Sequence, residues 1–257
     1  MDRSDVLVAA HSLSLVFSGP VRALDSLTLS VSRGEFVAVV GPSGCGKSTF
    51  LRLVAGLIAP TSGTILVADE PPDEARRSAV RMSFVFQEAT LLPWRSVADN
   101  VRLPLEIART PRERGRELVR HGLNRVGLAE FADRYPRQLS GGMRMRASLA
   151  RALVTEPQLL LMDEPFAALD DMTRQRLNEE LLALWAEQGW TVIFVTHNIA
   201  EAVFLSQRVL VMSARPGRIV ADVPVPFGRQ RNSDLRTSVE FAQLAGEVSG
   251  QLRRGTS

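Results

Sequence analysis

Residues 36–49 read Phe36-Val37-Ala38-Val39-Val40-Gly41-Pro42-Ser43-Gly44-Cys45-Gly46-Lys47-Ser48-Thr49. The opening apolar run predicts a strand buried on both faces in a parallel sheet. The nine residues after it carry the phosphate-binding pattern G-x-x-x-x-G-K-[ST] in full, and residues 50–57 follow as a predicted helix. Strand, glycine-rich loop and helix are the order that this chemistry requires. Glycines let backbone N–H groups turn inward around phosphate oxygens. The helix N-terminus adds about half a positive charge. Gly41, Pro42, Ser43, Gly44, Cys45, Gly46, Lys47, Ser48 and Thr49 are therefore the candidate phosphate-binding residues. Lys47 is expected to reach the β- and γ-phosphates, and Ser48 to hold Mg²⁺. Cys45 sits beside a lysine at a helix start, a setting that favours thiolate. It is expected to be dispensable for hydrolysis, yet to report on the loop by alkylation that bound nucleotide slows.

The chain has 257 residues and a net charge of only +3. That charge is too small to mark nucleic acid or acidic lipid as a partner. No apolar run approaches the roughly 18 residues of a membrane span. Residues 1–5 lack the apolar segment of a secretory leader. A single cysteine excludes an internal disulfide and suits a reducing compartment.

Alternating strand and helix patterns predict a parallel α/β core. Leu159-Leu160-Leu161-Met162, Thr191-Val192-Ile193-Phe194-Val195-Thr196 and Val209-Leu210-Val211-Met212 read as further buried strands. Leu13, Leu15 and Phe17 alternate with polar neighbours, as do Leu27, Leu29 and Val31, which predicts an N-terminal antiparallel β-subdomain. Residues 88–157 show no strand pattern and read as an inserted helical subdomain. Within it, Thr110-Pro111 marks a helix start. Leu118, Val119, Leu123 and Val126 share one face, and Gly127 ends the helix. The ATPase domain is expected over residues 5–228. Residues 229–257 are expected to form a polar, arginine-rich tail with one short helix and a frayed end.

Two further sites carry chemistry. Asp163-Glu164 closes the strand at 159–162, so both acids should emerge beside the phosphate loop. Asp163 can hold Mg²⁺, and Glu164 can take a proton from an attacking water. Leu139-Ser140-Gly141-Gly142-Met143 precedes a helical run, with Ser140 suited to capping and Gly141 and Gly142 open to an anion.

At this last motif the chain resembles the ATP-binding cassette (ABC) transporter ATPases, whose signature is Leu-Ser-Gly-Gly-Gln. The likeness extends over about residues 7–220. It implies a P-loop NTPase (RecA-like) α/β fold that binds ATP and Mg²⁺. Gln87, after Phe84-Val85-Phe86, looks like the family's Q-loop glutamine, which reaches the metal and the water. Ala168-Leu169-Asp170 looks like the D-loop, and His197 like the switch histidine. Phe17 stands where the family stacks an aromatic ring on adenine. The resemblance thus implies Glu164, His197 and Gln87 as catalytic, Ser48, Gln87 and Asp163 as metal-holding, and Ser140, Gly141 and Gly142 as contacts to the nucleotide of a facing copy. Met143 departs from the pattern, since methionine cannot donate the hydrogen bond of the family's glutamine. A modest weakening is expected there. His11 and His121 receive no role.

The resemblance also implies partners. They are a second ATP-binding subunit in a head-to-tail homodimer, two transmembrane permease subunits and, indirectly, a periplasmic substrate-binding protein, with no nucleic acid. Leu91-Leu92-Pro93-Trp94 follows the Q-loop as the family's membrane-coupling region does. This segment, the Met143 variant and Ala214-Arg215-Pro216-Gly217-Arg218 look most like the nitrate/sulfonate/taurine importer group, on the cytoplasmic face of a bacterial inner membrane. The alternative is an ABC-type ATPase acting on nucleic acid or ribosomes. The stretch between Gln87 and Ser140 is too short for a long coiled coil and shows no heptads, which disfavours it.

Overall fold

The computed structural model describes residues 5–19, 21–78 and 80–255. Residues 1–4, read above as lacking a leader, lie outside the described residues.

The chain opens with strands β1 (Val6–Phe17), β2 (Val21–Ser32) and β3 (Phe36–Val40), helix α1 (Lys47–Val54), strand β4 (Ser62–Val67), helix α2 (Pro72–Ser78) and strand β5 (Met82–Val85). Helices α3 (Val97–Ile107), α4 (Arg112–Arg125) and α5 (Gly141–Leu153) come next. The alternation then resumes with β6 (Leu159–Asp163), α6 (Asp171–Gln188), β7 (Thr191–Thr196), α7 (Ile199–Leu205), β8 (Arg208–Met212), β9 (Ile219–Pro224) and α8 (Val239–Arg254). Among the described residues no helix is long and apolar enough to cross a membrane.

Two sheets divide the work. β2, β1 and β4 pair antiparallel, in that order. The larger sheet runs β5-β6-β7-β3-β8-β9, parallel except for β9, an edge strand that the sequence reading did not separate. β3 is buried at every position and explains the sandwich. Phe36, Ala38 and Val40 pack into one apolar layer, while Val37 and Val39 pack into the other. β7 alternates likewise, with Val192 and Phe194 on one face and Ile193 and Val195 on the other. This double burial is why both strands read as continuous apolar runs.

The parallel order sets the site. All five parallel strands present their C-terminal ends at one sheet edge. The loops after β5, β6, β7, β3 and β8 therefore emerge side by side. Those loops carry Gln87, the Asp163–Glu164 step, His197, the phosphate loop and Arg215.

Helices α3 to α5 fill residues 97–153. α4 begins one residue later than the Thr110-Pro111 reading, because Pro111 stands at the N-cap. Val119, Leu123 and Val126 are buried, and Gly127 takes φ 65° to end the helix. The segment after β5 is tied to this unit by two polar side chains, buried Asn100 and half-buried Arg151. Asn100 accepts from the Leu92 N–H at 2.7 Å and donates to the Leu92, Arg95 and Ser96 carbonyls. Arg151 of α5 donates to the Ala89 and Thr90 carbonyls.

The C-terminal segment corrects the expectation of a polar tail. α8 spans 16 residues and docks through buried Phe241 and Val248, with Leu244 and Leu252 at helical spacing on the same side. Arginines do the rest with their apolar stems and guanidinium donors. Arg231 caps α7 by donating to the Val203, Phe204 and Ser206 carbonyls, and burial lowers its pKa to about 10. Arg236 stacks 3.6 Å over the Phe204 ring. Polar composition hid an arginine-fastened helix.

Candidate active site

The phosphate loop runs from the end of β3 to the start of α1. Gly44 and Gly46 take φ 74° and 112°, left-handed conformations that a side chain would strain. At Gly46 a Cβ would also meet the Ala23 carbonyl at 2.9 Å. Lys47 is the only lysine in the chain. Its ammonium is buried, donates to the Gly41 and Pro42 carbonyls at 2.8 and 3.0 Å, and lies 3.7 Å from Glu164 Oε1. The loop thus curls around its own cation.

Ser48, in the first turn of α1, donates its hydroxyl to Asp163 Oδ1 at 2.8 Å, across 115 residues of sequence. Burial pushes the Asp163 carboxyl up, and the Ser48 hydrogen bond opposes that rise. A hydroxyl and a carboxylate oxygen at one point are hard donors of the kind Mg²⁺ takes, with phosphate and water completing its shell. Among the described residues no group of three or more His, Cys, Asp or Glu could hold a metal alone. The donor set fits a metal carried by a phosphate.

Glu164 turns the chain at φ 45°, a conformation uncommon for a residue with a side chain. Its N–H donates to the Val195 carbonyl at 2.9 Å, which ties the end of β6 to β7. Its Oε2 is 2.8 Å from His197 Nδ1. One carboxylate thus faces both the lysine and the histidine. His197 is itself framed. The Asn198 N–H donates to Thr196 Oγ1 at 3.0 Å, the Thr196 hydroxyl donates to buried Glu201, and the Glu201 N–H donates to Asn198 Oδ1 at 3.1 Å. Burial raises the Glu201 pKa, which Thr196 partly offsets.

Other expected residues stand apart from this cluster. Gln87 is exposed just past β5. Phe17 ends β1 with its ring 45% exposed, open to a stacking partner. Ser140 caps α5 by accepting from the Met143 N–H at 3.3 Å. Gly141 is exposed, and a Cβ on Gly142 would meet the Thr173 side chain at 2.8 Å, so the α5 start packs against the start of α6. Among the described residues no hydrogen bond or ion pair joins residues 140–143 to residues 41–49. Met143 packs partly buried against the main core. Trp94 is 71% exposed, and His11 and His121 are exposed.

Cys45 is a correction. Its side chain is 1% exposed and belongs to the core beneath the loop, not to the phosphate face. Burial raises the thiol pKa, outweighing the Lys47 charge that lowers it. The neutral thiol is favoured, and a reagent reaches it only when the loop opens.

Sequence reasoning missed two contacts. Arg215 donates from Nε and Nη2 to the Gly44 carbonyl at 3.2 and 3.0 Å. Glu201 closes the ring around His197. The first was discoverable from strand order alone, since β3 and β8 are neighbours.

Comparison with known proteins gives the family. Residues 24–167 match the ABC transporter family. The chain is 42% identical to the nitrate import ATP-binding protein NrtD of Synechococcus elongatus over 240 residues, covering 92% of this chain and 86% of that protein. It is 42% identical to the taurine import ATP-binding protein TauB of Rhizobium johnstonii over 260 residues, covering 98% and 95%. Its fold is similar to the dimeric post-hydrolysis state of the ATP-binding cassette MJ0796 bound to ADP and Pi. There the TM-score is 0.76 at 31% identity, over 86% of this chain and all of that one.

Proposed function

Because the chain belongs to the ABC transporter family of ATPases, we propose that it is the ATP-hydrolysing subunit of a bacterial importer for a small anion such as nitrate, a sulfonate or taurine. The observation that carries the catalytic part is the single cluster of Lys47, Ser48, Asp163, Glu164 and His197 at one sheet edge. Lys47 and the loop N–H groups hold the phosphates. Ser48 and Asp163 would hold Mg²⁺, with Gln87 of the loop after β5 as a further ligand, and the ion would supply positive charge to the phosphate oxygens. Glu164 accepts the proton of the attacking water. His197 fixes the Glu164 carboxylate through Nδ1 and leaves its other ring nitrogen for the γ-phosphate. Phe17 offers the adenine a stacking face.

Ser140 and Gly141 sit exposed and Gly142 half-buried at a helix N-terminus, away from the chain's own phosphate loop. They serve the nucleotide of a second copy, so two chains enclose two ATP molecules head to tail. Exposed Trp94 and its neighbours, tied to the signature helix by Arg151, face two permease subunits at the cytoplasmic side of the inner membrane. A periplasmic binding protein delivers the solute to them. The names of the nitrate and taurine import relatives support the solute class. The reading is tested by reconstituting the chain with its permease and binding protein in liposomes. Hydrolysis should rise with nitrate-, sulfonate- or taurine-loaded binding protein. Hydrolysis indifferent to all three rejects the solute class, and no hydrolysis rejects the subunit's role.

A further inference from the structure

The segment Ala214-Arg215-Pro216-Gly217-Arg218 has no part in the chemistry above, yet it is a braced turn beside the phosphate loop. Ser213 closes it from both ends. Its N–H donates to the Arg218 carbonyl at 2.9 Å, and its Oγ accepts from the Arg218 N–H at 3.0 Å. Gly217 exchanges backbone hydrogen bonds with the β-subdomain, donating to the Ala23 carbonyl at 2.9 Å and accepting from the Asp25 N–H at 3.0 Å. Arg218 Nε pairs with Asp25 Oδ2 at 2.9 Å. A Cβ on Gly217 would lie 2.2 Å from the Cys45 carbonyl, so this turn rests directly on the loop. The Ala214 N–H donates to the Gly255 carbonyl, at the end of α8.

From this platform Arg215 puts two donors on one carbonyl, that of Gly44. A trans peptide carries its carbonyl and its N–H on opposite sides. With the Gly44 carbonyl turned out to Arg215, the Cys45 N–H points into the arc of the loop, where it donates to the Pro42 carbonyl at 3.3 Å. Gly44 occupies φ 74°, where glycine passes readily between conformations. A flip of this peptide would aim a carbonyl dipole at the phosphates and remove a donor from them. We propose that Arg215 is a positioning residue for nucleotide binding, which holds the Gly44–Cys45 peptide with its N–H toward the phosphates. It acts on the loop and not on the reacting atoms, so it sets affinity and leaves the chemical step alone.

The proposal rests on the ATPase reading, and the experiment separates the two. The purified full chain and its Arg215→Ala and Arg215→Lys variants are titrated with Mg-ATP and Mg-ADP, and kcat, KM and melting temperature are measured. Arg215 is exposed, so the variants should fold and melt with the wild type. Arg215→Ala should raise Kd for both nucleotides roughly 3- to 10-fold, as expected for a lost charge-assisted hydrogen bond in a solvated setting. KM should rise in step, with kcat at saturation unchanged. Arg215→Lys should recover part of the loss by keeping one charged donor. Kd within twofold of wild type for Arg215→Ala overturns the proposal. A fall in kcat together with the melting temperature overturns it too, since that marks a general structural role. A wild-type chain that binds no nucleotide overturns the ATPase reading instead.

Discussion

His197 Nδ1 and Glu164 Oε2 lie 2.8 Å apart at the ends of neighbouring strands β7 and β6. Glu164 also stands 3.7 Å from the Lys47 ammonium through its other oxygen. The carboxylate is therefore held at two points before any substrate arrives. Such a group is oriented as a base without a further cost when water must be activated.

Replacing Glu164 with glutamine keeps the shape and removes the basicity. Hydrolysis should fall about 10²–10⁴-fold, the usual contribution of a positioned base. Nucleotide binding should survive, and an ATP-bound dimer should accumulate on size-exclusion chromatography. Wild-type turnover in this variant removes Glu164 from the proposed role.

Lys47→Ala deletes the cation that the loop encloses. Affinity should drop by one to two orders of magnitude, from the loss of about 1.5–3 kcal/mol of charge-assisted contact. The loop also loses the donor to the Gly41 and Pro42 carbonyls. A second measurement needs no mutation. Lysine labelled with ¹³C at Cε should give a single NMR signal, because the chain has one lysine. Mg-ADP should shift that signal, and an unmoved signal at saturation denies the contact.

Buried Cys45 should react with maleimide slowly in the native protein and rapidly in denaturant. Mg-ATP should slow the native reaction further by holding the loop closed, and the alkylated chain should not hydrolyse ATP. Cys45→Ala should remain active. Native labelling as fast as that of a free thiol contradicts the packing of the loop on the core.

Glu201 is a buried carboxyl, and burial raises its folded-state pKa above the unfolded value. Such a group favours folding below the unfolded pKa and loses that contribution as pH rises through the folded pKa. Glu201→Gln removes the titration and keeps the volume and an acceptor for Thr196. The variant should melt higher than wild type at pH 7, with about 2–4 °C for each 1 kcal/mol in a chain of this size. The advantage should shrink to nothing below the usual carboxylate range. An advantage independent of pH refutes this account.

Strands buried on both faces were the most legible part of the fold. β3, β6, β7 and β8 are continuous apolar runs because the sandwich leaves them no polar side. The loops after them follow from pattern, so Lys47, Asp163, Glu164 and His197 were readable one by one. Their mutual distances were not, since those depend on the strand order β6-β7-β3. Burial also reversed the reading of Cys45, because local sequence shows an adjacent charge but not the core beneath. The C-terminal helix was obscured for a related reason. Arg231 and Arg236 look like solvated charges in sequence, yet Arg231 spends its donors on carbonyls at the end of α7 and Arg236 stacks its guanidinium over the Phe204 ring.

All cationic side chains of this chain other than Lys47 are guanidinium or imidazole groups. Trypsin and an arginine-specific protease therefore differ at one peptide bond, Lys47–Ser48, where the phosphate loop enters α1. Comparing their limited digests reads the opening of that loop directly, with no probe attached. Amine-directed cross-linkers, by contrast, have one enclosed ε-amine to find. A cross-linking map of the assembled transporter would leave this subunit almost blank, however tightly it is held.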